Sequence, residues 1–165
     1  MPKRNIHGHK TLLCIWWDQE GVLYYELLRP NETVTSDRYQ QQLCRLSDEL
    51  MQKRPCIAYN RRKVILLHDN ARPHVAKSVK QTLLELEWEV LPHPAYSPDL
   101  APSDYHLFQS MQHAFTDTHF SSYEEVQKWV DEWIASKDIA FYRHGIALLP
   151  ERWEKVVENE RNYFD

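Results

Sequence analysis

Apolar residues recur along this chain with two different periods. Thr11 to Trp17 and Val22 to Leu28 are β-rich runs joined by Asp18-Gln19-Glu20-Gly21, which predicts a β-hairpin. A Pro30-Asn31-Glu32 turn follows. Thr35 or Ser36 can then cap a helix on which Tyr39, Leu43, Leu46 and Leu50 form one apolar stripe. Val64 to Leu67 is a short, continuously apolar run suited to a strand buried on both faces, and it stops abruptly at His68-Asp69-Asn70. Pro73 suits the first turn of a helix with Val75, Val79, Leu83 and Leu86 as its buried stripe, and Trp88 to Leu91 reads as the next strand. Strand, helix, strand implies a crossover and parallel pairing.

Four prolines, Pro92, Pro94, Pro98 and Pro102, then forbid helix and predict a stiff irregular loop. Ser103 is the expected cap of a helix running to about Phe115. Ser122-x-x-Glu125 is a capping box ahead of Val126, Trp129, Val130, Trp133 and Ile134, which recur at helical spacing. A helix over Ile139 to Leu148 is interrupted in pattern by Gly145, and Pro150 restarts one carrying Trp153, Val156 and Val157.

Length and composition narrow the class. The chain's 165 residues suit one domain, with residues 1–10 expected to be a flexible tail. The 42% apolar and 12% aromatic content excludes a disordered chain. Cys14, Cys44 and Cys56 form no C-x-x-C pair, which fits buried thiols in a reducing compartment. The longest apolar run, Leu12 to Trp17, is far short of the ~20 residues a membrane helix needs, so a soluble intracellular protein with no membrane partner is expected. Net charge is −4, but residues 1–80 carry 14 basic and 8 acidic groups (+6) and residues 81–165 carry 6 and 16 (−10). A polyanion would prefer the first part.

Two carboxylates stand where chemistry gathers. Asp69 lies at the carboxyl end of a buried strand, and Asp104 lies in the first turn of a helix, where exposed amides favour the ionised form. Brought together they would repel unless a hard cation neutralised them, and Mg²⁺ or Mn²⁺ takes such oxygen ligands. Taken singly, each is equally readable as a turn or cap residue.

The surrounding words remove that ambiguity. His68-Asp69-Asn70-Ala71-Arg72-Pro73-His74 and Tyr96-Ser97-Pro98-Asp99-Leu100-Ala101-Pro102-Ser103-Asp104-Tyr105-His106-Leu107-Phe108 resemble mariner-type transposases, as does the interval of 34 residues between the aspartates. Trp16-Trp17-Asp18-Gln19, Tyr24-Tyr25-Glu26-Leu27-Leu28, Tyr39-Gln40-Gln41-Gln42-Leu43 and Pro150-Glu151-Arg152-Trp153-Glu154-Lys155 extend the resemblance over essentially the whole chain, to Tyr163-Phe164. It implies an α/β, RNase H-like fold and two-metal DNA strand cleavage and joining at transposon inverted repeats in the nucleus. Asp69 and Asp104 match the family's second and third catalytic aspartates and so are its implied metal ligands. The family's helix-turn-helix modules and its first aspartate, in a Gly-Asp-Glu context, have no counterpart here.

The resemblance therefore implies an incomplete RNase H-like fold: a mixed sheet, hairpin plus parallel strands, with flanking helices and the first central strand missing. In the family's strand order 3-2-1-4-5, that strand separates the runs matching Thr11 to Trp17 and Val64 to Leu67. Its loss either leaves two edges unpaired or lets the neighbours pair directly. No competent triad is expected within one chain. The alternative reading is a non-catalytic DNA-binding or dimerisation remnant. Asp18, a turn residue by pattern, is a poor substitute for the missing carboxylate.

Other residues fill supporting places. His68 and His74 flank the Asp69 turn and are candidates to order a metal-bound water or touch DNA phosphate, with Asn70 beside them. Arg72, Lys77 and Lys80, with Lys3, Arg4 and Lys10, are candidates to neutralise DNA phosphates. Tyr96 is the candidate to stack on a base, with packing against Trp88 or the helix after Ser103 the alternative. His106, two residues past Asp104, is read as structural. The nine histidines lack zinc spacing, and three glycines supply no phosphate cradle, so neither structural zinc nor an organic cofactor is expected.

Overall fold

The computed structural model describes residues 3–6, 11–55, 64–68, 72–91, 100–115 and 119–152, with the backbone alone for 3–6, 72 and 73. Two compact units result, Met1–Trp17 with Val22–Ala95 and Asp18–Gly21 with Tyr96–Asp165.

The first unit begins with three strands, β1 (Lys3–Ile6), β2 (Thr11–Asp18) and β3 (Gly21–Leu27), in the order β1-β2-β3. The β2–β3 link is Gln19-Glu20. Asp18 tightens it by accepting a hydrogen bond from the Glu20 amide at 2.9 Å, and Gly21 takes φ 133°, a region costly for any side chain. Asp18 thus does turn work, as its place in the pattern predicts. β1 pairs antiparallel with β2, from Lys3 opposite Cys14 to Ile6 opposite Thr11. Part of the expected tail is therefore strand. It lies on the side of β2 that the family order gives to its first strand, so neither expected outcome for that edge, left open or paired with the β4 run, is observed.

The apolar stripe of α1 (Ser36–Lys53) covers one face of this sheet. Asn31, at φ 72°, completes the Pro30 turn by letting the Glu32 amide reach the Arg29 carbonyl at 3.1 Å. Thr35 caps the helix by accepting from the Arg38 amide at 3.2 Å. Tyr39, Leu43, Leu46 and Leu50 are all buried against Cys14, Trp16, Leu23 and Leu28. Each such side chain contributes about 1.5–3 kcal/mol by leaving water. Leu13 and Ile15 are buried on the opposite face of β2, so this strand is covered on both sides.

The crossover is β4 (Ile65–Leu66), α2 (Arg72–Val75), α3 (Lys77–Glu85) and β5 (Glu89–Val90). β4 and β5 are parallel, joined by bonds from the Glu89 amide to the Val64 carbonyl and from Leu91 to Leu66. Among the described residues this pair forms its own sheet, separate from the hairpin sheet. The single helix expected after Asp69 is broken at Ala76, whose backbone is extended. The break shifts the stripe: His74 is buried and Val75 is 41% exposed, while Val79 and Leu83 keep their expected places. α3 ends with Glu87 at φ 60°, its amide bonded to Leu84 and that of Trp88 to Leu83, a Schellman motif built without glycine.

The second unit is helical beyond the hairpin turn. A π-helical segment (Ser103–Phe108) leads into α4 (Gln109–Phe115), followed by α5 (Tyr123–Ala135) and α6 (Ile139–Ala147). Ser103 is the first residue of the π segment rather than its cap. Ser122 caps α5 as predicted, accepting from the Glu125 amide at 3.2 Å, while Glu125 accepts from the Ser121 amide at 2.8 Å. Trp129 stacks on Phe115 at 4.1 Å, and Trp133 meets Phe141 edge-on at 5.7 Å. α6 is capped by Asp138, which accepts from the Phe141 amide, and runs unbroken through Gly145. No described helix is long and apolar enough to cross a membrane.

Candidate functional site

The end of β4 is held by a ring cluster. His68 Nδ1 is hydrogen-bonded to the Tyr39 hydroxyl at 2.8 Å, tying the strand end to α1. The His68 and His74 rings stack 5.0 Å apart, and His74 stacks on Tyr39 at 4.1 Å. His74 is 2% exposed and His68 7%. Both rings are thus almost wholly withdrawn from the surface. Sequence reasoning found both histidines but not Tyr39, whose place on the apolar stripe of α1 concealed its hydroxyl.

Asp69, Asn70 and Tyr96 lie outside the described residues, as do the proline loop from Pro92 to Asp99 and Trp153 onward. The expected meeting of Asp69 with Asp104 thus falls outside them too. Arg72 opens α2, and Lys77 and Lys80 are exposed on α3. Among the described residues no group of three or more His, Cys, Asp or Glu side chains is disposed to hold a metal ion.

Asp104 occupies the first turn of the π segment, partly buried, with its amide bonded to the Ala101 carbonyl at 2.8 Å. Its carboxylate is the hard oxygen donor that Mg²⁺ or Mn²⁺ takes, so the residue fits the expected ligand role in type. The next two residues are anchored to α6. Tyr105 donates its hydroxyl hydrogen to the Gly145 carbonyl, and His106 Nε2 donates to the Phe141 carbonyl at 2.6 Å. Burial pushes the Tyr105 hydroxyl up to about 12, against the opposing charge of Arg152, whose guanidinium lies 4.1 Å above its ring. Burial also lowers the His106 pKa, aided by His144 and opposed by the Phe141 bond.

Residues 1–58 match the family described as transposase (partial DDE domain). The chain is 58% identical over 161 residues to the mariner Mos1 transposase of Drosophila mauritiana, covering 98% of this chain and 47% of that protein. It is 41% identical over 164 residues to the human histone-lysine N-methyltransferase SETMAR, covering 99% of this chain and 24% of that protein. A structure of the Mos1 catalytic domain with raltegravir and Mn superposes with a TM-score of 0.93 at 58% identity, over 96% of this chain and 80% of that one. A Mos1 paired-end complex with the left transposon end gives 0.87 at 58% identity, over 100% and 48%. The fold is therefore the RNase H-like α/β fold of a transposase catalytic domain. The chain belongs to the mariner transposase family. It spans about half the length of the Mos1 protein.

Proposed function

We infer that this chain carries the DNA-processing surface of a mariner catalytic domain, with transposon inverted-repeat ends as substrate and Mg²⁺ or Mn²⁺ as cofactor. The observation that carries this reading is the likeness to the Mos1 catalytic domain solved with Mn, which extends across nearly the whole chain. Asp69 and Asp104 would hold the metal. Bound there, it would favour attack of an oxygen nucleophile on a backbone phosphorus and departure of the opposite oxygen. Lys77 and Lys80 would meet DNA phosphates, and the buried His68, His74 and Tyr39 rings would stiffen the turn that bears Asp69. Two chains, each on one end, would match a paired-end complex, and the nucleus is the expected place of work.

Mn²⁺ titration of the chain, followed by electron paramagnetic resonance, tests the site. Binding that Asp104→Asn or Asp69→Asn abolishes supports it; binding indifferent to both changes overturns it. With no Gly-Asp-Glu aspartate in the sequence, the 165-residue chain alone should not cut a nicked inverted-repeat duplex. Cleavage that Asp69→Ala or Asp104→Ala removes would contradict that expectation. DNA affinity should fall with salt, and Lys77→Ala or Lys80→Ala should each reduce the slope of log K against log salt by about 1. Salt-dependent DNA binding without any metal binding would favour the non-catalytic remnant instead.

A further inference from the structure

The segment bearing Asp104 is π-helical over six residues, Ser103–Phe108. A π-helix is rare, seldom exceeds one turn, and is frequent at functional sites. Such a segment needs contacts from outside itself. Here they come from α6, and they bear on the two residues directly after Asp104.

Phe141 and Gly145 are four residues apart, so their carbonyls lie one turn from each other on one side of α6. The Tyr105 hydroxyl and His106 Nε2 bond to that pair. The His106 ring also lies against the Phe141 ring, with centroids 4.3 Å apart. This close approach depends on Gly145. A Cβ there would overlap His106 Cδ2 and stand 2.6 Å from its Cγ, closer than real Cβ atoms come, with the His106 Cβ a tight 3.1 Å away. The ring has little room to yield, because Nε2, bonded directly to the overlapped Cδ2, is tied to the Phe141 carbonyl. Glycine in a helix interior costs about 0.5–1 kcal/mol relative to alanine, and its backbone here is not one that only glycine adopts. The reason for glycine at 145 is therefore the His106 ring.

We propose that Tyr105, His106 and Gly145 are positioning residues for Asp104, a clamp by which α6 fixes the π-helical turn and hence the direction of the Asp104 carboxylate. The proposal rests on the reading of Asp104 as a metal ligand. The clamp acts on the ligand through its neighbours and touches neither metal nor DNA.

The test uses the full chain, with Mn²⁺ alone as probe, and compares wild type, Gly145→Ala and Tyr105→Phe, with Arg143→Ala as an exposed control on α6. Three quantities are measured: Mn²⁺ affinity, amide hydrogen exchange of residues 103–108, and the urea midpoint. The clamp variants should bind Mn²⁺ about 10–100-fold more weakly, the loss typical when a ligand's support is removed. Exchange over 103–108 should quicken by more than the fall in the urea midpoint accounts for. If Gly145→Ala does not fold, Tyr105→Phe carries the test. Unchanged affinity in a folded clamp variant overturns the proposal. A wild-type chain that binds no Mn²⁺ overturns the metal reading instead. Exchange then decides the clamp by itself: unchanged protection over 103–108 overturns it, and faster exchange upholds it.

Discussion

A chain with Trp16 replaced by alanine is expected to lose about 3–5 kcal/mol of unfolding free energy. The indole is 1% exposed, on the face of β2 that meets α1, within the cluster of Cys14, Leu23, Leu28, Tyr39 and Leu43. Its ring stacks with Tyr24 at 5.7 Å and lies 6.3 Å from Tyr39. Among the described residues its buried Nε1 has no hydrogen-bond partner, so the loss is chiefly one of transfer and packing. A domain holds only about 5–15 kcal/mol in all, so this change removes a large part of the margin. For a chain of this size the melting temperature should fall by about 6–20 °C. Urea unfolding followed by circular dichroism measures it, with Leu84→Ala as control. Leu84 is 72% exposed, and its loss should stay within about 0.5 kcal/mol. Equal midpoints for the two variants would show that the core is not centred on Trp16.

α1 was legible in the sequence because one amphipathic helix writes its cap, Thr35, and its stripe, Tyr39 to Leu50, in a single local pattern. The hairpin and the Pro30 turn were legible for the same reason. Elements made by distant contacts were not. Lys3-Arg4-Asn5-Ile6 has no apolar alternation and becomes strand only by pairing with β2. Ala76 breaks the helix without a proline or glycine to announce it, exchanging Val75 for His74 in the core. Glu87 takes a left-handed cap where a reader looks for glycine. At the candidate site, Asp104 was readable from its neighbours in sequence. Its clamp was not, because the bonds from Tyr105 and His106 reach 40 and 35 residues along the chain. The one local trace was Gly145, which read as an interruption of α6 and proved to be the space for a ring.

Glu26 should govern much of the acid sensitivity of the first unit. This carboxylate, on β3, faces α1 with its side chain 12% exposed. It accepts from Gln42 Nε2 at 2.6 Å and from the Tyr24 hydroxyl, is ion-paired with Arg45, and lies 3.7 Å from Arg38 Nε. Burial by itself would raise its pKa. The Tyr24 and Gln42 hydrogen bonds with the Arg38 and Arg45 charges outweigh burial and hold it below the ordinary 4.5. A carboxyl depressed on folding stabilises fully above its unfolded pKa. As pH falls, the unfolded chain takes the proton first, and the contribution drains away until the folded pKa is passed. Glu26→Gln removes the charge while leaving a side chain of the same shape. At neutral pH it should cost about 1.5–3 kcal/mol, the worth of hydrogen bonding to a charged group. Urea midpoints of wild type and variant, taken from pH 7 downward, should differ by a constant amount until the pH nears 4.5 and then converge. Glu125, depressed by a hydrogen bond from the Ser121 amide, titrates alike in both chains and cancels in the difference, whereas Glu32, depressed first by the Arg29 amide, shares Arg38 with Glu26 and adds a change of its own over the same acid range. Tyr24, raised to about 12 chiefly by burial, stays protonated throughout. A difference that holds steady through the acid range would mean that it arises from the amide put in place, which faces the donors of Tyr24, Gln42 and Arg45, and that the charge of Glu26 contributes nothing to joining β3 and α1.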